Sequence, residues 1–280
     1  MNTAIFKRNP LECVRYGNAF DIWEWAHDIE ISNNRVWECY DTGFTNQGNS
    51  DNYTEANISY HHNVIGHAEY CFEVWDQNQG PRNSSSMSEI RIENNVCIDS
   101  GGGWSHAQRP NPSGRHICMF SETAAVSGVS ILNNIFWQSV RYEAAWFMEQ
   151  PWGYPNGSKP AVPCSECGWG QSIREDSNVF FQKDAALGSL LLLGGVFYDA
   201  SNFSIYVNAT GNGENSLAVD PLLVGLVGGK PSNATDVAPM ADSPVLGKGQ
   251  TVMWREDVNG RPIPRDSPDI GAVQHQIEQR

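Results

Sequence analysis

The sequence predicts an all-β fold, a right-handed parallel β-helix (a solenoid of stacked coils) with an irregular C-terminal cap. Three observations predict it. A short phrase recurs along the chain, each copy is followed by further short apolar pieces, and no i, i+3, i+4, i+7 apolar stripe runs longer than two turns. The 280 residues hold 26 Gly, 15 Pro and 10 Trp, a turn-rich composition. They read as a single domain, with coils over 1–210, starting part-way through a coil, and a terminal coil and cap over 211–280.

Four copies of the phrase are clear. Ile29 and Ile31 precede Asn33-Asn34, Ile58 and Tyr60 precede His62-Asn63, Ile90 and Ile92 precede Asn94-Asn95, and Val129 and Ile131 precede Asn133-Asn134. A degenerate fifth copy runs from Ile173 to Ser177-Asn178. Apolar residues two apart describe a short strand with one buried face, and the polar pair turns the chain. The first slots of the pairs, 33, 62, 94, 133 and 177, lie 29, 32, 39 and 44 residues apart, so constant punctuation separates loops of growing length. A second and third apolar piece follow each pair, such as Val64-Ile65 and then Cys71 to Trp75. Two or three strands per repeat describe one coil, stacked on the last at about 4.8 Å. Asn suits the bend because it tolerates left-handed backbone angles and its amide can bond the same amide one coil away. These Asn residues are therefore read as structural.

The cysteines number seven. Cys13 and Cys39 fall at similar slots of neighbouring coils, which suits either a disulfide or a buried thiol stack. Cys164 and Cys167 form one CxxC with no second pair at zinc spacing, and are read as a loop staple before a metal site. His61, His62 and His67 are not read as a metal site either, because successive strand residues face opposite sides and a site needs three convergent ligands. No residue is assigned to a metal.

Charge narrows the function. With 18 Lys+Arg against 32 Asp+Glu the net charge is −14, and no basic run suggests nucleic acid. Apolar runs are far shorter than the roughly 20 residues of a membrane span. No signal segment is recognisable, so a secreted or cell-surface location, the expectation here, requires a signal outside this sequence.

The tail adds a second pattern: Asp220-Pro221, Asp242 to Pro244, Asp257 to Arg261, and Asp269 to Ala272. Together with the Ile-x-Ile-x-Asn-Asn coils, it resembles the right-handed β-helix repeat proteins of the pectate-lyase-like superfamily. The resemblance implies the fold and a carbohydrate-active protein. That superfamily holds glycoside hydrolases, lyases, epimerases, esterases and non-catalytic adhesins. The polygalacturonase Asn-Thr-Asp motif and the pectate-lyase calcium triad are both absent from this chain, so the reaction must be argued from the residues along the stack.

Taking Phe20/Ile22, Phe44/Asn46 and Phe72/Val74 as inward pairs leaves Asp21 and Trp23, Thr45 and Gln47, and Glu73 and Trp75 outward. Indoles suit sugar faces, amides suit hydroxyls, and carboxylates suit acid–base work. Asp21 and Glu73 stand two coils apart, about 9 to 10 Å at the backbone, near the roughly 6.5 to 9.5 Å of an inverting glycosidase. Glu24 and Asp76 take their places if the register slips by one. The stretch Gly101–His116 carries Trp104, His106, Arg109, Arg115 and His116 with no acid from Ser100 to Ser121, which suits an anion held by a loop over the groove.

The expected function is a polysaccharide-cleaving enzyme, a glycoside hydrolase acting through Asp21 and Glu73. Substrate contacts are expected from Trp23, Gln47, Trp75, Trp104, Arg115 and His116. A lyase or uronate epimerase using His106 and Arg109 is the second reading, and a non-catalytic glycan-binding or structural β-helix the third. No cofactor is expected, calcium entering only in the lyase case. The partner is a polysaccharide, with no nucleic acid or membrane, bound by a monomer.

Overall fold

The computed structural model describes residues 3–5, 17–76, 85–109, 112–121, 125–145, 173–183, 190–193, 196–226 and 237–275. Cys13, Cys164 and Cys167 lie outside them. The strands in chain order are β1 (Thr3–Ile5), β2 (Phe20–Trp23), β3 (His27–Ser32), β4 (Arg35–Trp37), β5 (Thr42–Gly48), β6 (Thr54–His61), β7 (Val64–Gly66), β8 (Tyr70–Asp76), β9 (Ser86–Glu93) and β10 (Val96–Ser100). They continue with β11 (Arg115–Ser121), β12 (Ala125–Ser127), β13 (Val129–Leu132), β14 (Ile135–Ser139), β15 (Tyr142–Ala145), β16 (Ile173–Asp176), β17 (Val179–Phe181), β18 (Leu191–Leu193) and β19 (Val196–Tyr198). One α-helix is present among the described residues, α1 (Phe203–Thr210), ended by Gly211 in a left-handed conformation.

From β3 onward the chain visits three sheets in rotation. The first sheet stacks β3, β6, β9, β13 and β16, with β12 also paired to β9; the second stacks β1, β4, β7, β10, β14 and β17; the third stacks β2, β5, β8, β11, β15, β18 and β19. Pairing is parallel except between β18 and β19. The result is a solenoid-like arrangement of three mostly parallel sheets. Because the phrase repeats in register, like residues fall in columns: Ile29, Ile58 and Ile90 align, as do Ile31, Tyr60, Ile92 and Ile131. These columns join Val36, Ile65 and Cys97 of the second sheet and Phe44 and Phe72 of the third in one buried cluster. Phe20, Phe44 and Phe72 stack at 5.1 and 5.5 Å, and each such ring pair adds about 0.5 to 1.5 kcal/mol beyond its burial.

The two residues of each polar pair divide the work. The first takes a left-handed backbone, with φ of 57° at Asn33, 52° at His62, 54° at Asn94, 56° at Asn133 and 51° at Ser177. The second builds a ladder. Asn34 Nδ2 donates to Asn63 Oδ1 at 3.1 Å, Asn63 to Asn95 at 3.0 Å, Asn95 to Asn134 at 3.0 Å and Asn134 to Asn178 at 2.9 Å. Each Oδ1 also accepts the backbone N–H of the preceding rung, and the ladder ends on Ser216 Oγ. Buried amides are thereby satisfied without water.

A terminal coil and cap were expected over 211–280. Within that range Leu217 bridges Val179 at the end of the stack, beside α1, whose Phe203 packs on Phe180 at 5.9 Å. Residues 237–275 run back along the second sheet. Val245, Val258, Ile270 and Val273 cover Val64, Val96, Ile98 and Ile135 in a second apolar cluster. The reason is that the outer face of this sheet is itself apolar and needs a cover as much as the stack end does.

Candidate functional site

Strand alternation puts Phe44, Asn46, Phe72 and Val74 inside, all buried, with Asn46 held by Glu55 and Tyr60. The outward residues of the third sheet then form two rows across the strands. Asp21, Thr45, Glu73 and Cys118 make one, and Trp23, Gln47 and Trp75 the other. Asp21 is exposed, Trp23 is 44% exposed and Trp75 half-buried.

Glu73 is the unusual member, a carboxyl only 8% exposed on an outward face. Its Oε2 accepts Thr45 Oγ1 and Gln47 Nε2, both at 2.9 Å, and Thr42 Oγ1 at 3.5 Å. Desolvation and the nearby charge of Asp41 raise its pKa to about 7, against the lowering effect of these hydrogen bonds and of Arg109. Asp21 is raised more simply, by burial, with a hydrogen bond from Asn18 opposing.

The bends before β5 and β8 supply the surroundings. Arg109 NH1 bonds Asp41 Oδ1 at 2.7 Å and the Tyr40 carbonyl at 3.2 Å, and its guanidinium lies 5.4 and 5.8 Å from the Tyr40 and Tyr70 rings. Asp41 is raised by burial despite Arg109, and Arg109, lowered by burial, still ends above its ordinary value because of Asp41. His106 Nδ1 meets Glu69 Oε2 at 3.0 Å. The other Glu69 oxygen accepts the backbone N–H groups of Ser113 and Gly114. Trp104 packs beside Tyr40 at 5.7 Å. The stretch thus lies on the bends at 38–41 and 67–70, at one border of the outward face, rather than across it.

Two of its expected substrate contacts change character. Arg115 and His116 belong to β11, not to the loop. Arg115 stays on the outer side, where it hydrogen-bonds the Cys118 thiol, whose pKa burial pushes to about 12. His116 is fully buried, 5.7 Å from the Phe136 ring and 2.9 Å from Ser100 Oγ. It is therefore corrected from a substrate contact to an interior residue: at the start of β11 His116 and Ile117 are both buried, so strict alternation does not hold there.

No protein-family model matches this chain, and no curated protein does. The chemistry must be read from the residues themselves. Asp21, Glu73, Trp23, Gln47 and Trp75 come together on one face, with Arg109, His106 and Trp104 at its border. Sequence reading missed the roles of Asp41, Tyr70 and Thr45 around Glu73. Alternation, which puts Thr45 and Glu73 on one face, was a signal for Thr45 alone; Asp41 and Tyr70 carried none.

The histidine cluster also differs. His61 and His62 do not face apart: their Nδ1 atoms lie 2.9 Å from each other, because the strand ends at His61 and His62 turns left-handed. His62 is pushed down to about 3 by burial and then by His61. His61 stacks on Trp254 at 3.4 Å and meets Glu30 at 3.1 Å. His67 sits elsewhere, between Glu38 at 2.8 Å and Asp99 at 3.2 Å.

Proposed function

We propose that the three sheets close into a right-handed parallel β-helix of the pectate-lyase-like type and that the outward face of the third sheet hydrolyses a neutral polysaccharide. The observation that carries this reading is Glu73, a nearly buried carboxyl in the outward row of the third sheet, whose pKa of about 7 keeps it protonated enough to act as a general acid. Asp21 lies two strands away in the same row, about 9.6 Å at the backbone, and as the more exposed of the two carboxyls it takes the part of the base that activates water. Two carboxyls in environments that separate their roles, at that spacing, suit inversion.

In this scheme Glu73 protonates the glycosidic oxygen while Asp21 takes a proton from the attacking water on the opposite side of the ring. The C–O bond to the leaving sugar breaks as the bond from water forms. Trp23 and Trp75, flanking Gln47 in the neighbouring row, offer ring faces and an amide for the sugar. Lyase chemistry through His106 and Arg109 has less support, because carboxylates of the chain already engage both side chains. A net charge of −14 also favours an uncharged polymer by long-range repulsion of acidic ones.

The test is incubation with neutral and uronic polysaccharides, with and without calcium. Reducing ends and the ultraviolet absorbance of unsaturated uronates are followed in parallel. New reducing ends without that absorbance, independent of calcium, are expected; absorbance rising with the reducing ends overturns hydrolysis.

A further inference from the structure

Three metal-binding side chains meet inside the stack, away from the outward face. Cys71 is the second residue of β8, Cys97 the second of β10 and His116 the second of β11. Cys71 and His116 are register neighbours in the third sheet, between the pairs Tyr70–Arg115 and Phe72–Ile117, while Cys97 enters from the second sheet. All three are fully buried. Their ligand atoms lie within 4.8 Å of one another. Ser100 Oγ completes the group, 3.4 Å from Cys71 Sγ and 2.9 Å from His116 Nδ1.

The surroundings are aliphatic and aromatic, with Ile65, Phe72, Ile117 and Phe136 in the buried shell. Gathering two thiols, an imidazole and a hydroxyl at one point of such a core costs solvation that ordinary packing does not require. The distances suit coordination. With Zn–S of about 2.3 Å and Zn–N of about 2.0 to 2.1 Å, a tetrahedral S···N edge is about 3.6 Å. Cys71 Sγ and His116 Nδ1 are 3.7 Å apart.

We propose that Cys71, Cys97 and His116 hold a thiophilic divalent cation of the zinc class, with Ser100 Oγ at the fourth position. Binding forms two metal–sulfur bonds and one metal–nitrogen bond and releases two thiol protons to solvent, so two thiolates balance the 2+ charge. The site is closed, which makes the ion structural: it ties two successive coils and two sheets together. This inference stands apart from the hydrolase reading and shares no residue with it.

The experiment is elemental analysis of the full chain produced with zinc and passed through gel filtration. The Cys164→Ser/Cys167→Ser variant is included so that the CxxC does not supply the metal. About one zinc per chain is expected in both proteins, and none above background in Cys71→Ser/Cys97→Ser. Should that last variant fail to fold, cobalt substitution of the wild type decides: thiolate-to-cobalt charge transfer with tetrahedral ligand-field bands is expected. Metal-free wild type, zinc unchanged in Cys71→Ser/Cys97→Ser, absence of the cobalt bands, or an intact mass two hydrogens lighter from a Cys71–Cys97 disulfide each overturns the proposal.

Discussion

Glu73 shows how a single side chain acquires a chemical disposition from its neighbours. The strand places it outward, but Thr45 and Gln47 lean onto the same oxygen and shut out water, so burial outweighs hydrogen bonding and the carboxyl keeps its proton to about pH 7. A carbon-13 NMR titration is expected to show a carboxyl titrating near 7 whose resonance is missing from Glu73→Gln; a midpoint near the ordinary glutamate value of 4.5 for that resonance contradicts this. The sign for stability follows. The folded chain holds this proton to higher pH than the unfolded chain, so its contribution is full below about 4.5 and is lost as pH rises through about 7. Glu175, buried and raised to about 7 by desolvation against bonds from Ser216, Asn178 and Tyr206, acts with the same sign. Glu175→Gln is therefore expected to improve in Tm relative to the wild type on going from pH 5 to pH 8. Calorimetry at both pH values checks it, and a constant difference contradicts the assignment.

At the level of elements, the asparagine pairs separate a conformational duty from a bonding one. Asn95 accepts from the amide and the backbone N–H of Asn63 and donates to Asn134 and the Tyr60 carbonyl, all buried. Asn95→Ala leaves several of these groups unsatisfied and is expected to cost about 3 kcal/mol or more. Asn94→Gly keeps the left-handed backbone and loses only bonds of 3.3 and 3.4 Å, so its cost is expected near 1 kcal/mol. Urea unfolding of both variants measures the contrast, and equal losses contradict the division of labour. This part of the fold was legible in the sequence because the signal is local: Ile29 to Asn34 or Ile90 to Asn95 states strand, facing and bend within six residues. The same alternation places Phe44 and Phe72 inward and Thr45 and Glu73 outward. His62 was misread because alternation stops where the left-handed bend begins.

Across the whole molecule, contacts join residues that the sequence keeps far apart. Arg109 reaches Asp41, Ser113 reaches Glu69, and Cys71, Cys97 and His116 meet across two coils. No spacing rule predicts such meetings, since the variable loops between coils set the linear distance while stacking sets the spatial one. The course of 237–275 was not legible for the same reason: it has no repeat, and it follows the apolar outer face of the second sheet. Gly271 anchors it at φ 109°, where an added Cβ falls 2.7 Å from Ile135 Cδ1, and Asn94 and Asn133 bond its backbone. Gly271→Val is expected to loosen 237–275 from the sheet, seen as faster proteolysis within that segment and a Tm lower by several degrees. Unchanged cleavage contradicts the anchoring. The hydrolase reading stands most directly on reducing-end release from neutral polysaccharides by wild type and Glu73→Gln, compared across pH. The expected result is wild-type activity that declines as pH rises through about 7 and a variant slower by about 10²-fold or more; equal release by the two proteins contradicts the assignment of Glu73 as the proton donor.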